Sequence, residues 1–251
     1  MELRADEPFI RITHRVDFQE KHRMLRSHFY PITDNAYATY DIQSAVIKRS
    51  TKPKNQWEAA MFEVPAHRFA DLSRTDYGCA LLSEDKYGYR IMDGEMELNL
   101  LRSPADVDPN ADNHFHEYSY GFYPHTGDYE HSDVYHQAQR FASHLFCARL
   151  DGLPEQRSFS YAQRLSASVA IDCIKPTETG DGLIIRMHEY SGAAAMAELY
   201  WDEELPPAWL CNLLEEPLKE LDRELDYNIL RLEFKPYEIK TLLLLPLQEP
   251  K

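Results

Sequence analysis

The sequence predicts an all-β protein, a large antiparallel β-sandwich with few or no helices, and three observations carry that prediction. Apolar residues recur with a period of two over short segments, hairpin-forming dipeptides punctuate those segments, and helical spacing is confined to one stretch. Successive side chains of a strand point to opposite faces, so a strand with one buried face alternates apolar and polar residues.

The elements follow in order. In residues 9–18, Ile10, Ile12, His14, Val16 and Phe18 alternate with Phe9, Arg11, Thr13, Arg15 and Asp17. Segments 24–30, 37–42, 77–82, 95–101 and 116–123 read the same way, as do 169–174, 183–190, 196–200, 229–234 and 239–245. Between them stand turn signals: Asp93-Gly94, Gly127-Asp128, Asp151-Gly152 and Gly180-Asp181-Gly182. Only 132–149, with Val134, Ala138, Phe141 and Leu145 at helical spacing, predicts a helix, and a long connection is the alternative there. Pro65 and the run Ala66-His67-Arg68-Phe69 interrupt a strand, and Asp71-Leu72-Ser73 reads as a turn. A soft boundary near residue 150, with 152–158 as the junction, would divide the chain into two β subdomains; one continuous sandwich over 1–251 fits equally. Residues 202–207 read as a surface loop.

Composition narrows the function classes. A hydrophobic fraction of 43% and an aromatic fraction of 12% belong to a globular chain. The formal charge of −15, from 27 basic and 42 acidic residues, argues against nucleic acid or an anionic membrane as partner, since both need a basic face. The opening MELRADEPFIRI has no apolar signal core, and the run from Leu242 to Leu245 is far too short to span a bilayer. Cys79, Cys147, Cys173 and Cys211 lie far apart among apolar neighbours with no C-x-x-C pair. Buried free thiols are therefore expected rather than disulfides or a zinc site, which fits a reducing, cytoplasmic location.

Two constellations are candidates for chemistry. In residues 62–91, His67, Arg68, Asp71, Asp76, Asp85 and Lys86 are interleaved with Phe69, Tyr77, Tyr87 and Tyr89. Aromatic faces stack on the apolar face of a pyranose and charged groups bond vicinal hydroxyls, so this composition suits a sugar-contacting rim. The same residues could equally pair among themselves in a hairpin. In 100–128, Asp106, Asp108, Asn110 and Asp112 alternate as calcium ligands do, but the glycine and closing glutamate of an EF-hand loop are missing. His114, His116 and His125 could supply three zinc ligands, or could be buried and hydrogen-bonded beside Tyr118 and Tyr120. Ser27, Ser83 and Ser103 lack a nucleophile elbow, no cysteine has activating neighbours, and the nine glycines form no phosphate loop. Glu178, Glu215 and Glu216 read as solvated surface rather than a catalytic carboxylate pair.

In order along the chain, these segments resemble glycoside hydrolase family 38 α-mannosidases of the bacterial type. The matching residues are Trp57, Ala60, Phe62-Glu63-Val64-Pro65, His67, Asp71-Leu72-Ser73, Asp76-Tyr77-Gly78, Ala80-Leu81-Leu82 and Lys86-Tyr87-Gly88-Tyr89. Leu100 to Pro104, His116-Glu117, Tyr120, Tyr123-Pro124-His125 and Gly127-Asp128 continue the series. Later come Gly180-Asp181-Gly182 with Arg186 and Glu189, then Leu213-Leu214-Glu215-Glu216, and a closing stretch from Phe234 to Leu242.

The resemblance implies a retaining, zinc-dependent enzyme whose metal, nucleophilic Asp and acid/base Asp lie on an N-terminal α/β barrel outside this chain. The chain would be the galactose-mutarotase-like supersandwich behind that barrel. It would carry no catalytic residue, cofactor or metal of its own, and the zinc would belong to the barrel. A loop of this portion would reach back to the mannose, with His67 and Arg68 as its contacts, joined by Asp71, Lys86, Tyr87 and Arg102. The expected partners are a mannose-containing glycan and the barrel, with no nucleic acid or membrane. A face meant for the barrel would leave an apolar patch, which a homodimer could cover. A stand-alone carbohydrate-binding or structural sandwich is the alternative, and an epimerase of the mutarotase type rests on fold alone.

Overall fold

In a computed structural model of the protein, the described residues are 1–104, 106, 108–143, 147, 149, 163–164, 168–201, 204–222 and 228–246. The chain divides into two compact units, Met1–Cys147 and Ala148–Lys251. Every strand ladder closes within one unit.

The first unit contains β1 (Ile10–Asp17), β2 (Met24–Phe29), β3 (Tyr37–Ile42), β4 (Ala45–Ser50), the short helix α1 (Gln56–Ala60), β5 (Val64–Pro65), β6 (Phe69–Ser73), β7 (Tyr77–Ser83), β8 (Gly88–Met92), β9 (Glu95–Arg102), β10 (Phe115–Thr126) and helix α2 (Val134–Ala142). A six-stranded sheet runs β1-β10-β7-β6-β3-β4, and a four-stranded sheet runs β2-β9-β8-β5, all pairs being antiparallel. Alternate residues of both sheets meet in one core: Ala38, Tyr40, Ala70, Leu72, Leu81, Tyr118 and Tyr120 from the first, Tyr89, Ile91, Met96 and Leu98 from the second. Face-to-face packing of two sheets needs this alternation, which is why the period-two segments became strands. At the β8–β9 hairpin Asp93 and Gly94 have φ of 53° and 78°, the backbone that a two-residue turn with right-handed twist requires.

The outer face of the six-stranded sheet is covered too. Helix α2 contacts β6, β7 and β10, burying Val134, Tyr135, Ala138 and Phe141, and Phe9 meets Phe141 edge to face at 5.4 Å. A 3-10 turn, Tyr129–His131, leads into it, with Tyr129 stacked on Phe69 at 5.5 Å. This cover corrects one sequence expectation. Asp71, Leu72 and Ser73 form the end of strand β6 rather than a turn, and all five residues of that strand are buried. The polar residues there mark not a turn but a second buried face: Asp71 accepts from His125 and Ser73, and Ser73 Oγ accepts from the Tyr129 amide. The predicted helix over 132–149 is realised from Val134 to Ala142; residues 144–146 and 148 lie outside the described residues.

The second unit contains β11 (Gln163–Arg164), β12 (Val169–Pro176), β13 (Leu183–Glu189), β14 (Ala195–Tyr200), β15 (Ala208–Cys211), β16 (Pro217–Glu220), β17 (Ile229–Phe234) and β18 (Ile239–Leu244). A three-stranded sheet, β11-β14-β17, and a five-stranded sheet, β12-β13-β18-β15-β16, enclose Val169, Ile185, Met187, Leu199, Leu230, Leu232, Leu242 and Leu244. Glu189 is fully buried and accepts from the amides of Ser191, Gly192 and Tyr237, so one carboxylate fastens the turn after β13 to the turn before β18. Glu215 is not the solvated residue expected: its carboxylate pairs with Lys175 at 2.5 Å and caps the Glu178 amide. The junction 152–158 and the Asp151-Gly152 turn lie outside the described residues.

All four cysteines are free thiols. Cys79 and Cys211 are buried as expected, but Cys147 is exposed, and Cys173 is half-buried just past a register shift in β12 that sets it opposite Arg186 rather than a core residue. Among the described residues no helix is long and apolar enough to cross a membrane.

Candidate functional site

The strongest candidate site is one end of the first unit, where three connections meet. The β3–β4 hairpin, the loop 66–68 between β5 and β6, and the loop 84–87 between β7 and β8 are tied to one another by main-chain bonds. Ala66 N donates to Tyr87 O at 3.0 Å, His67 N to Asp41 O at 3.0 Å, and Ser83 N to Arg68 O at 2.8 Å. The loop 66–68 thus spans from the four-stranded to the six-stranded sheet, and both sheets fix its ends.

Arg68 is the most constrained side chain of the group. Asp41, 1% exposed, accepts from Arg68 N at 2.9 Å, Nε at 2.8 Å and Nη2 at 3.1 Å. The guanidinium also lies 4.7 Å from the centroid of the Tyr135 ring. Burial opposes its charge, but the hydrogen bonds and charge of Asp41 outweigh that and raise its pKa further above the ordinary range. A fork held bidentately keeps one orientation, whereas an exposed arginine samples many.

Around it stand the other three. The His67 carbonyl accepts from the buried Tyr89 hydroxyl at 3.2 Å, and its ring meets the Tyr87 ring edge to face at 6.2 Å. Tyr87 is 55% exposed, so its remaining face is open to solvent. Lys86 is tucked in: its ammonium lies 4.5 Å from the Tyr118 ring centroid and 3.3 Å from Asp85, while its amide donates to Ser83 Oγ. Burial pushes the Tyr118 phenol up to about 12, and its hydroxyl is buried with no hydrogen-bond partner. The group therefore offers an open aromatic face, an imidazole, an ammonium and a locked guanidinium. That set can stack on and hydrogen-bond a polyhydroxylated ring. Asp41 is spent on Arg68 and Asp85 faces Lys86, so neither stands as a free catalytic carboxylate.

The structure joins the loops that carry His67, Arg68, Lys86 and Tyr87 and sets the His67 and Tyr87 rings in contact, but it separates the other two sequence candidates. Asp71 sits 1% exposed within β6, its carboxylate bonded to His125 Nε2 at 2.8 Å. Arg102 is exposed at the end of β9, where its amide donates to Asp112; among the described residues no bond of its side chain joins it to the loop group. Asp41, Tyr118 and Tyr135 went unread as contributors. A carboxylate ending the buried strand 37–42 was the available signal for Asp41, while Tyr135 comes from a distant helix and left none.

The histidine trio does not assemble. His114 and His116 stack at 3.9 Å, but His125 lies nine residues along β10, roughly 30 Å away at strand rise, facing Asp71. In the acidic loop, Asp108 caps Asn110 and Asp112 caps Arg102. Among the described residues one group could hold a metal by distance alone, His28, Glu95 and Glu97. It does not fit zinc: Glu97 is neutralised by Arg26 and Arg90, and Glu95 is paired with Arg90 and bonded to the His28 imidazole.

Comparison with known proteins gives consistent matches. The description "Glycosyl hydrolases family 38 C-terminal domain" matches residues 1–110, and "Glycosyl hydrolases family 38 C-terminal beta sandwich domain" matches residues 168–242. Alpha-mannosidase 2C1 of Mus musculus is 32% identical over 246 residues, covering 97% of this chain and 24% of the relative. Alpha-mannosidase G of Dictyostelium discoideum is 30% identical over 240 residues, covering 90% and 22%. The crystal structure of an alpha-mannosidase from Enterococcus faecalis V583 superposes with a TM-score of 0.80 at 20% identity, over 95% of this chain and 28% of that one, a likeness of fold. The chain spans about a quarter of the length of the curated relatives it matches.

Proposed function

Because this chain belongs to glycosyl hydrolase family 38, matching its C-terminal β-sandwich domains, we propose that it serves as the sandwich portion of a zinc-dependent α-mannosidase. In this reading the bond-breaking groups and the zinc lie on a barrel outside the chain, and the sandwich supports that barrel. The loop group of His67, Arg68, Lys86 and Tyr87 lines the edge of the glycan pocket. The linkage of the loops that carry these residues at one end of the first unit, with the His67 and Tyr87 rings in contact, carries the reading. Tyr87 supplies a stacking face, and Arg68, fixed by Asp41, meets vicinal hydroxyls without first having to be ordered.

The test has two parts. The 251-residue chain, given 4-nitrophenyl α-mannoside and zinc, is expected to release no nitrophenol above the protein-free rate. Turnover would overturn the placement of chemistry outside the chain. In a full-length enzyme containing this region, Tyr87→Ala is expected to raise KM about tenfold, the worth of one aromatic stack, while kcat stays within the same decade. An unchanged KM removes Tyr87 from the pocket. Titration of the isolated chain with mannosides addresses the second reading, a stand-alone carbohydrate-binding module, which requires millimolar or tighter binding without the barrel.

A further inference from the structure

A cleft of about 290 Å³ opens at the lateral edge of the first unit, between the edge strand β4 and the segment around α1. It is distinct from the loop group. Tyr37 at its mouth begins β3, whereas Asp41, which anchors Arg68, lies four residues on, roughly 13 Å at strand rise.

The charge of the cleft runs against the charge of the chain. Four cations, Lys48, Arg49, Lys54 and Arg90, line it against the single carboxylate of Glu58, in a protein of net charge −15. Glu58 is engaged in its own turn, accepting from Lys54 N at 2.7 Å and Asn55 Nδ2 at 3.3 Å. Arg90 is paired with Glu95 and Glu97, and Lys48 with Glu130.

Arg49 is different. It pairs across the ladder with Ala38, a core residue, so it points to the inner face of the sheet, where the pattern calls for an apolar side chain. Its guanidinium lies 5.3 Å from the Tyr40 ring centroid, and among the described residues no carboxylate forms an ion pair with it. Its Nε is buried with no hydrogen-bond partner. A buried donor on a permanent cation that meets no acceptor costs more than it returns unless something supplies one. The exposed rings of Tyr37, 47% exposed, and Phe62, 54% exposed, flank the opening, and the Lys54 ammonium lies 3.3 Å from the Tyr37 hydroxyl.

We propose that this cleft binds a small organic anion, an oxyanion carried on a flat or ring-shaped body. The oxyanion pairs with the Arg49 guanidinium, with the Lys54 ammonium adding charge, and the ring lies between Tyr37 and Phe62. The volume suits a ligand of monosaccharide or aryl size. A planar guanidinium matches carboxylate and phosphate oxygens in geometry as well as charge.

The experiment is a calorimetric titration of the full chain with phenyl phosphate, beside inorganic phosphate as the bare anion and methyl α-mannoside as a neutral ring. Phenyl phosphate is expected to bind in the millimolar range or tighter, and inorganic phosphate several-fold more weakly. Arg49→Met should weaken phenyl phosphate about tenfold, and Arg49→Lys, which keeps the charge and loses the fork, about threefold. Both variants are to be checked for an unchanged or higher melting temperature, so that lost binding is not lost folding. If Arg49→Met does not fold, Arg49→Lys together with Tyr37→Ala decides. Absence of phenyl phosphate binding, binding indifferent to Arg49, or binding of the neutral mannoside with equal strength each overturns the proposal. Mannosidase activity plays no part in this test, so its result is independent of the glycan reading.

Discussion

Loss of Asp41 would leave the Arg68 guanidinium half-buried beside Tyr135 with no counter-charge. Removing one member of such a pair strands the other, so Asp41→Asn is expected to destabilise the first unit by about 3 kcal/mol in urea unfolding at neutral pH. Arg68→Lys should cost nearly as much, because an ammonium cannot reproduce the bidentate contact. The buried His125–Asp71 pair makes a pH prediction. Burial works against the His125 charge, yet the hydrogen bond and charge of Asp71 prevail and raise its pKa above the ordinary 6.5. A raised histidine stabilises fully below its unfolded value, so this contribution should fade as pH climbs through the folded pKa. Glu95 bounds the acid side. Its hydrogen bond with His28, and further bonds with Tyr30 and Arg90, hold it down to about 2, so its contribution should be lost as pH falls from 4.5 toward that value. Urea midpoints measured across pH, with Asp71→Asn as control, check the alkaline limb: the variant should lose its slope there. In the second unit, Glu189→Ala strips three amides of their acceptor and is expected to cost about 3 kcal/mol by the same measurement. At this scale the sequence exposed His67, Arg68, Lys86 and Tyr87 as chemistry-bearing types, but not their partners. Which carboxylate meets which cation depends on folds of the chain that alternation does not encode.

The segments that alternate cleanly, such as 10–17 and 229–234, were legible because one face meets a core and the other meets water. Strand β6 was not, since both its faces are covered and its polar residues are internal partners rather than solvated ones. Strands β4, β8, β15 and β16 also went unread: β4 and β16 lack a clean alternation of burial, and β8 and β15 are only five and four residues long. The tight packing of β6 against β7 predicts its own sensitivity. A Cβ placed on Gly78 would stand 2.3 Å from the Ser73 Cβ and 2.6 Å from the His125 ring. Gly78→Ala should therefore lower the melting temperature by about 5 °C or more, since rigid neighbours on both sides leave no room to relax.

On the scale of the molecule, each unit completes its own sheets, and among the described residues the first takes no strand from the second. Residues 1–147 expressed alone are expected to unfold in one cooperative urea transition; a gradual, non-cooperative loss of signal would mean that closed ladders are not enough. Family membership was legible at this scale from the order of motifs, whereas the basic cleft was not, because its four cations come from separate segments in an acidic chain. The strand at one edge of the five-stranded sheet has a consequence of another kind. β16 lies at the rim of that sheet with all four residues exposed, Leu218 among them at 68%. A bare rim of unpaired amides invites a second chain to zip on and fibres to grow. Here Pro217 has no amide hydrogen to offer, and Lys219 and Glu220 place charge along the same rim. Among the described residues no strand covers this rim, and its proline and charges disfavour the edge-to-edge pairing through which sheets aggregate.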